Sequence, residues 1–181
     1  MKRILWIGIL LLPLLSHAQD EGTSCLCEAP SHLQRELNQA NPYTIQALLE
    51  RYPNDFWVQK KFIELKTGNP YLLRQSPGIP TSKVEESVIA RFRESYERQP
   101  SDNQAAYLYA YSLIHTNTAE SVRILSEMVR ENPPLPAAWM TLGILHGYSE
   151  FMDETKQKAY IEAFLERCPD SVEPRIAMLA L

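Results

Sequence analysis

From residue 31 onward, apolar residues recur at spacings of three and four positions, which is the period of one face of an α-helix. Ile45, Leu48 and Leu49 form one such stripe. Prolines and short polar residues interrupt the pattern, and these residue types commonly end and begin helices. The pattern predicts helices over residues 31–40, 43–52, 56–66 and 82–99, and further helices that begin near residues 102, 117, 136, 153 and 170.

The second half of the chain repeats itself. Pro100, Pro133 and Pro169 each close a helix-like run, and they are separated by 33 and 36 residues. The residues before the first two prolines recur at a constant offset: Val88 and Phe92 before Pro100, and Ser121 and Leu125 before Pro133. A repeat of this length predicts stacked helix pairs, because one pair alone cannot bury its apolar faces.

A more specific motif lies within this repeat. Residues 139–146 read Trp-Met-Thr-Leu-Gly-Ile-Leu-His and follow the pattern W-x2-L-G-x2-aromatic. Together with the proline period, this motif resembles the tetratricopeptide repeat, a unit of two antiparallel helices. The resemblance covers residues 83–169. It implies an all-α fold, a right-handed α-solenoid of stacked antiparallel helix pairs over residues 31–181.

The resemblance also implies packing roles for individual residues. Gly143 would let two helices approach closely because it carries no Cβ, and Trp139 and Leu142 would fill the layer beside it. The residues expected to pack the repeats together are Val88, Phe92, Pro100, Leu125, Pro133, Trp139, Leu142, Gly143 and Pro169.

Tetratricopeptide modules generally bind partner chains and do not catalyse reactions. The resemblance therefore implies a scaffold that holds a protein or peptide in a concave groove. In this register the first helix of each pair lines the groove, and the residues predicted to contact the partner are Tyr107, Tyr111, Met140 and Ile144. Aromatic side chains are favoured at such contacts because they bury a large area at low entropic cost.

Residues 69–82 form a predicted insertion between two helices. The segment contains Pro70, Pro77, Gly78 and Pro80, and it lengthens one repeat by roughly 14 residues relative to the family period. Loops of this length are uncommon, and many of them are functional. We therefore predict that the insertion adapts its conformation to contact a partner.

The amino terminus has the pattern of a secretory signal peptide over residues 1–18. Lys2-Arg3 precedes an apolar run over residues 4–15, and small residues at positions 16 and 18 fit a signal-peptidase site. The run is too short to span a bilayer. We expect cleavage after Ala18, no membrane span afterwards, a flexible leader over residues 19–30, and a secreted or periplasmic mature chain.

The charge of the chain argues against a nucleic-acid partner. The chain has 18 Lys and Arg residues, 22 Asp and Glu residues and a formal net charge of −4. It contains no basic stripe interleaved with aromatic residues, which is the electrostatic footprint of a nucleic-acid-binding protein. The predicted partner is therefore a protein or peptide.

Three cysteines permit one disulfide and leave one thiol over. Cys25 and Cys27 could bond to each other only through a strained small ring, and Cys168 at a helix end is expected to pair with neither. The functional alternatives for Cys25 and Cys27 are a redox pair or a soft-metal site, for which His32 is the only close third ligand. The favoured interpretation is two oxidisable thiols on a flexible leader.

The sequence contains no evident catalytic constellation. His115 and His146 fall in predicted helices, and neither a G-x-S-x-G nor an H-E-x-x-H motif is present. We therefore predict no cofactor, no resident metal and no enzymatic activity. The alternative is that the chain is the amino-terminal or accessory part of an extracytoplasmic enzyme, such as a thiol oxidoreductase that uses Cys25 and Cys27.

The last predicted helix, which begins at Asp170, has an apolar end. Ile176, Met178, Leu179 and Leu181 are not followed by a polar cap, although a solenoid usually needs a terminal repeat with a polar outer face. Two interpretations are equally favoured. Either the chain is truncated after Leu181, or this face docks on another molecule.

Overall fold

The computed structural model describes residues 26–68, 83–130, 135–148 and 150–171. These residues form eight α-helices and no strand: α1 (Ser31–Gln39), α2 (Ile45–Arg51), α3 (Phe56–Thr67), α4 (Lys83–Arg98), α5 (Asn103–Ser112), α6 (Thr118–Met128), α7 (Pro136–Tyr148) and α8 (Glu154–Arg167). The prediction of an all-α fold is therefore confirmed for this part of the chain. None of these helices combines the length and apolar character needed to cross a membrane.

Several predicted features lie outside the described residues. They are the signal peptide over residues 1–18, Cys25, the insertion over residues 69–82, Pro133, and the last predicted helix beyond Ser171. They remain predictions from the sequence.

Short polar side chains explain where several helices begin. The Asp55 carboxylate accepts a hydrogen bond of 3.0 Å from the backbone N–H of Val58 at the start of α3. Asp102, Asn117 and Asp153 accept from backbone N–H groups in the same way before α5, α6 and α8. Such a cap is typically worth about 1 kcal/mol, so these starts are encoded locally.

Tertiary packing holds the helices together in chain order. From α2 to α8 each helix packs against the next one, and α3 also packs against α5. One apolar cluster contains residues from every helix between α1 and α7, including Leu33, Ile63, Leu125 and Leu142. Helices of this length are marginal by themselves in water, so this shared core supplies most of their stability.

The residues expected to pack the repeats occupy both buried and exposed places. Four of them are buried in the core: Val88, Phe92, Leu125 and Leu142. Trp139 is half-buried, and the guanidinium carbon of Arg167 lies 4.7 Å from the centroid of its ring, which is a cation–π contact. Pro100 and Pro169 are exposed just after α4 and α8, where a proline prevents the helix from continuing.

Gly143 lies where α7 and α8 approach each other closely. A Cβ atom added at this position would lie 2.8 Å from Cγ1 of Ile161 on α8. Ile161 is buried, and its branched side chain has little rotational freedom in a helix. The absence of a side chain at Gly143 therefore sets how near the two helices pack.

We expect the substitution Gly143→Ala to lower the free energy of unfolding by about 1–3 kcal/mol, because it overpacks the contact with Ile161. This loss opposes the gain of up to about 1 kcal/mol that alanine normally brings to a helix. Urea denaturation followed by circular dichroism measures the effect. Thr155→Ala is the control, since it also introduces alanine into one of these two helices but at an exposed position of α8. Equal stability of Gly143→Ala and the parent chain would contradict the close approach.

A disulfide joins the two ends of the described chain. Cys27 and Cys168 are bonded, with their Cα atoms 5.6 Å apart and a sequence separation of 141. The expectation that Cys168 pairs with neither amino-terminal cysteine was therefore wrong. The pairing depends on the fold bringing the segment before α1 next to the end of α8, and residue spacing contains no information about that proximity.

Candidate binding cleft

A cleft of about 400 Å³ lies on the side of the fold to which α3, α5 and α7 all contribute side chains. Asn38 of α1 and Phe164 of α8 also line it. Residues 26–28 and Ser171, which lie on either side of the eight-helix segment in sequence, complete its lining. The cleft is thus built by helices distributed along the whole described chain.

The four residues predicted to contact a partner all line this cleft. Tyr107 and Tyr111 come from α5, and Met140 and Ile144 come from α7. Tyr107 is fully buried, and Tyr111 and Ile144 are also buried, whereas Met140 is half-buried. Met140 therefore offers the most surface of the four, and the other three shape the floor of the cleft.

A charged cluster on α3 lies in the same wall. The Glu64 carboxylate accepts hydrogen bonds from Lys60 Nζ at 2.7 Å, from Lys61 Nζ at 3.2 Å and from the Tyr111 hydroxyl at 2.8 Å. The Lys60 ammonium also lies 4.7 Å from the centroid of the Tyr111 ring. These contacts fix two lysines and one carboxylate against α5.

The environment of Glu64 keeps its carboxyl group ionised at neutral pH. Burial alone would raise its pKa, and this is the largest single effect. The nearby Lys60 ammonium and the hydrogen bonds from Lys60 and Tyr111 act in the opposite direction, and Lys61 adds to them. Together they outweigh burial, so that the pKa of Glu64 lies below its usual value.

Aromatic rings connect α3, α5 and α7 beneath the cleft. The Tyr107 ring stacks on Tyr111 with a centroid distance of 5.5 Å, and Phe56 lies 5.3 Å from Tyr107 on the α3 side. The Tyr107 hydroxyl lies 2.9 Å from Oγ1 of Thr141 on α7. Because the Thr141 hydroxyl donates to the carbonyl oxygen of Ala137, Tyr107 is the donor of this hydrogen bond. The floor of the cleft is therefore packed and hydrogen-bonded.

The two histidines considered as catalytic candidates lie in helical surroundings. Nδ1 of His146 is 2.7 Å from the carbonyl oxygen of Phe151, and its ring stacks on Tyr160 with a centroid distance of 5.5 Å. His115 is half-buried in the turn after α5. Neither histidine lines the cleft. Within the described ranges no group of three or more His, Cys, Asp and Glu side chains is placed to hold a metal ion.

Sequence reasoning missed several residues of the cleft. The cleft is also lined by three half-buried residues of α3, which are Trp57, Lys60 and Lys61. Glu64 and residues 26–28 line it as well. The spacing of four between Lys60 and Glu64 was a local signal of an ion pair on one helix face. The hydrogen bond from Tyr111, 47 residues away, left no such signal.

No protein-family model matches the chain. A search of curated proteins found no match, and neither did a search of solved structures. The function is therefore inferred from the helix pattern and from the geometry of the cleft.

Proposed function

We propose that this chain is an extracytoplasmic, tetratricopeptide-like scaffold that binds a short segment of a partner protein in the cleft. The observation that carries the proposal is the lining of the cleft. Residues from α3, α5 and α7 line one cleft, and in the proposed repeat these three helices are the first helices of three successive pairs. A right-handed solenoid of helix pairs places its groove on these helices.

The order of helix packing supports such an arrangement. Every helix from α2 to α8 packs against its successor, and α3 packs against α5 across the intervening helix α4. The hydrogen bond between Tyr107 and Thr141 joins α5 to α7 in the same way. A stack of pairs in which first helices lie side by side requires contacts between alternate helices.

The size and charge of the cleft favour a short segment without a strong net charge. Its volume of about 400 Å³ lies toward the lower end of the range of about 300–1,000 Å³ that is usual for ligand pockets. The charged side chains that line it are Glu28, Glu64, Lys60 and Lys61, two of each sign. A strongly acidic or strongly basic segment would gain little from this lining.

The signal-peptide pattern over residues 1–18 and the disulfide support an extracytoplasmic location. Disulfides such as Cys27–Cys168 form and persist in secreted and periplasmic proteins and are rare in the reducing cytosol. The alternative of a Cys25–Cys27 redox pair has less support, because Cys27 is bonded to Cys168 and Cys25 lies outside the described residues. The scaffold is the function that the cleft supports best.

We expect Met140→Ala to weaken the binding of a partner segment about tenfold, which corresponds to about 1.4 kcal/mol. Met140 presents a half-buried apolar side chain to the cleft, and its truncation removes contact area without opening the core. Random pentapeptides selected for binding to the full chain provide the probe. Fluorescence anisotropy then gives the Kd for each variant.

Met152→Ala is the matched control for this measurement. Met152 is 64% exposed and does not line the cleft, so its truncation is expected to leave the Kd unchanged. Thermal denaturation establishes that both variants remain folded. Equal peptide affinity of Met140→Ala and the parent chain would place the binding surface elsewhere on the molecule.

A further inference from the structure

The segment before α1 forms part of the cleft. We call residues 26–30 the amino-terminal strap. Leu26, Cys27 and Glu28 line the cleft together with residues of α3, α5 and α7, and Leu26 and Ala29 pack against the core as partly buried side chains. The strap therefore contributes surface to the cleft, and one of its residues is a cysteine.

The disulfide attaches this strap to the other end of the described chain. Cys168 directly follows α8, is only 3% exposed, and is bonded to Cys27 in the middle of the strap. Ser171, three residues further on, lines the same cleft. The bond thus holds the strap at the cleft from its α8 side, while α1 holds it from the other side.

We propose that the amino-terminal strap is a wall of the partner-binding cleft and that the Cys27–Cys168 disulfide places binding under redox control. This inference rests on the proposed function of the cleft. With the disulfide intact, Leu26 and Glu28 are held against the cleft and contact a bound segment. With the disulfide reduced, the strap is attached only through α1, and the cleft loses that wall.

The chemistry of the switch is thiol–disulfide exchange with a dithiol reductant. A thiolate of the reductant attacks Sγ of Cys27, and the bond to Cys168 breaks. Cys27 is the site of attack because it is half-buried, whereas Cys168 is buried. Cys168 leaves as a thiolate and takes up a proton. The second thiol of the reductant then attacks the reductant sulfur that is bonded to Cys27. This step forms the disulfide of the reductant and releases Cys27 as a thiol. The protein disulfide gains two electrons and two protons, and the reductant becomes a disulfide.

The solvent exposure of Trp57 reports on the position of the strap when no peptide is bound, because Trp57 and the strap line the same cleft. The experiment measures acrylamide quenching of tryptophan fluorescence in the full chain, in a Cys25→Ser/Trp139→Phe background. The first substitution prevents exchange of the disulfide with the Cys25 thiol, and the second removes the tryptophan that packs against Arg167, next to Cys168. We expect greater quenching after reduction with dithiothreitol, and equal quenching in Cys27→Ala/Cys168→Ala without reductant. The increase should disappear in Trp57→Phe, which identifies the reporting residue.

A second arm measures binding itself. The probe is a fluorescein-labelled pentapeptide selected against the oxidised full chain. We expect its Kd to be at least about tenfold weaker for the reduced chain and for Cys27→Ala/Cys168→Ala, since a whole wall of contacts is lost. Reduction should not change the affinity of Cys27→Ala/Cys168→Ala any further. Restoring the disulfide with oxidised glutathione should restore the Kd of the parent chain.

Three results would overturn the proposal. The first is unchanged Trp57 quenching after thiol titration has shown that the disulfide is reduced, and the second is unchanged peptide affinity in the same sample. The third is loss of the helical circular dichroism signal on reduction, because binding would then be lost with the fold and not with the strap. If the alanine pair unfolds by circular dichroism, Leu26→Ala with the disulfide intact replaces it, and this variant should also raise quenching and weaken the peptide. If no pentapeptide binds the oxidised chain, the proposed function fails, while the quenching result still decides whether the strap covers the cleft.

Discussion

Replacing Cys27 and Cys168 together with alanine is expected to lower the free energy of unfolding by about 3–5 kcal/mol. The disulfide closes a loop across 141 residues of sequence and so constrains nearly the whole described chain when it is unfolded. In the chain-entropy account a loop of this length gives one of the larger stabilisations that a single disulfide can supply. For a single domain of this size, such a loss is a large part of the total stability.

Urea denaturation of the parent chain and of Cys27→Ala/Cys168→Ala gives the two free energies of unfolding. Cys25→Ala is the matched control, because it removes a cysteine and leaves the described disulfide intact. The parent chain with its disulfide reduced by dithiothreitol should unfold at nearly the same urea concentration as the double variant. Unfolding midpoints that coincide with and without the disulfide would contradict the expectation.

Leu142→Ala is expected to destabilise the fold by about 2–5 kcal/mol. Leu142 is 0% exposed and belongs to the apolar cluster that runs through α1 to α7. Truncation removes buried methyl groups and leaves a cavity.

Val84→Ala is the control for this truncation. Val84 lies on α4, is 51% exposed, and also loses an apolar side chain to alanine, so its effect should stay within about 0.5 kcal/mol. Thermal and urea denaturation followed at the helical circular dichroism signal compare the three proteins. A Leu142→Ala chain as stable as Val84→Ala would show that α7 is not packed into a shared core.

The starts of several helices and their apolar faces could be inferred from the sequence because the signals for both are local. Asp102, Asn117 and Asp153 each precede a helix and cap it through a hydrogen bond to a nearby backbone N–H group. The stripe of Ile45, Leu48 and Leu49 is buried as its spacing predicted. These features depend on residues within one or two turns of each other, so the order of residues is sufficient to predict them.

The candidate site was only partly predictable. The repeat register placed Tyr107, Tyr111, Met140 and Ile144 on the first helices of their pairs, and all four line the cleft. Their exposure was not predictable, since Tyr107 is fully buried by neighbours on α3 and α7. How much of a side chain reaches solvent depends on residues that are distant in sequence.

The sequence by itself therefore determined the all-α class, the starts of several helices and the apolar face of each, because hydrogen-bond caps and the helical period act over a few residues. Only the tertiary structure decided that Cys27 pairs with Cys168 and that the strap lies along the cleft. It also decided that Tyr111 completes the hydrogen bonds of Glu64. Each of these contacts joins residues many turns apart, and the packing of the helices between them sets the distance.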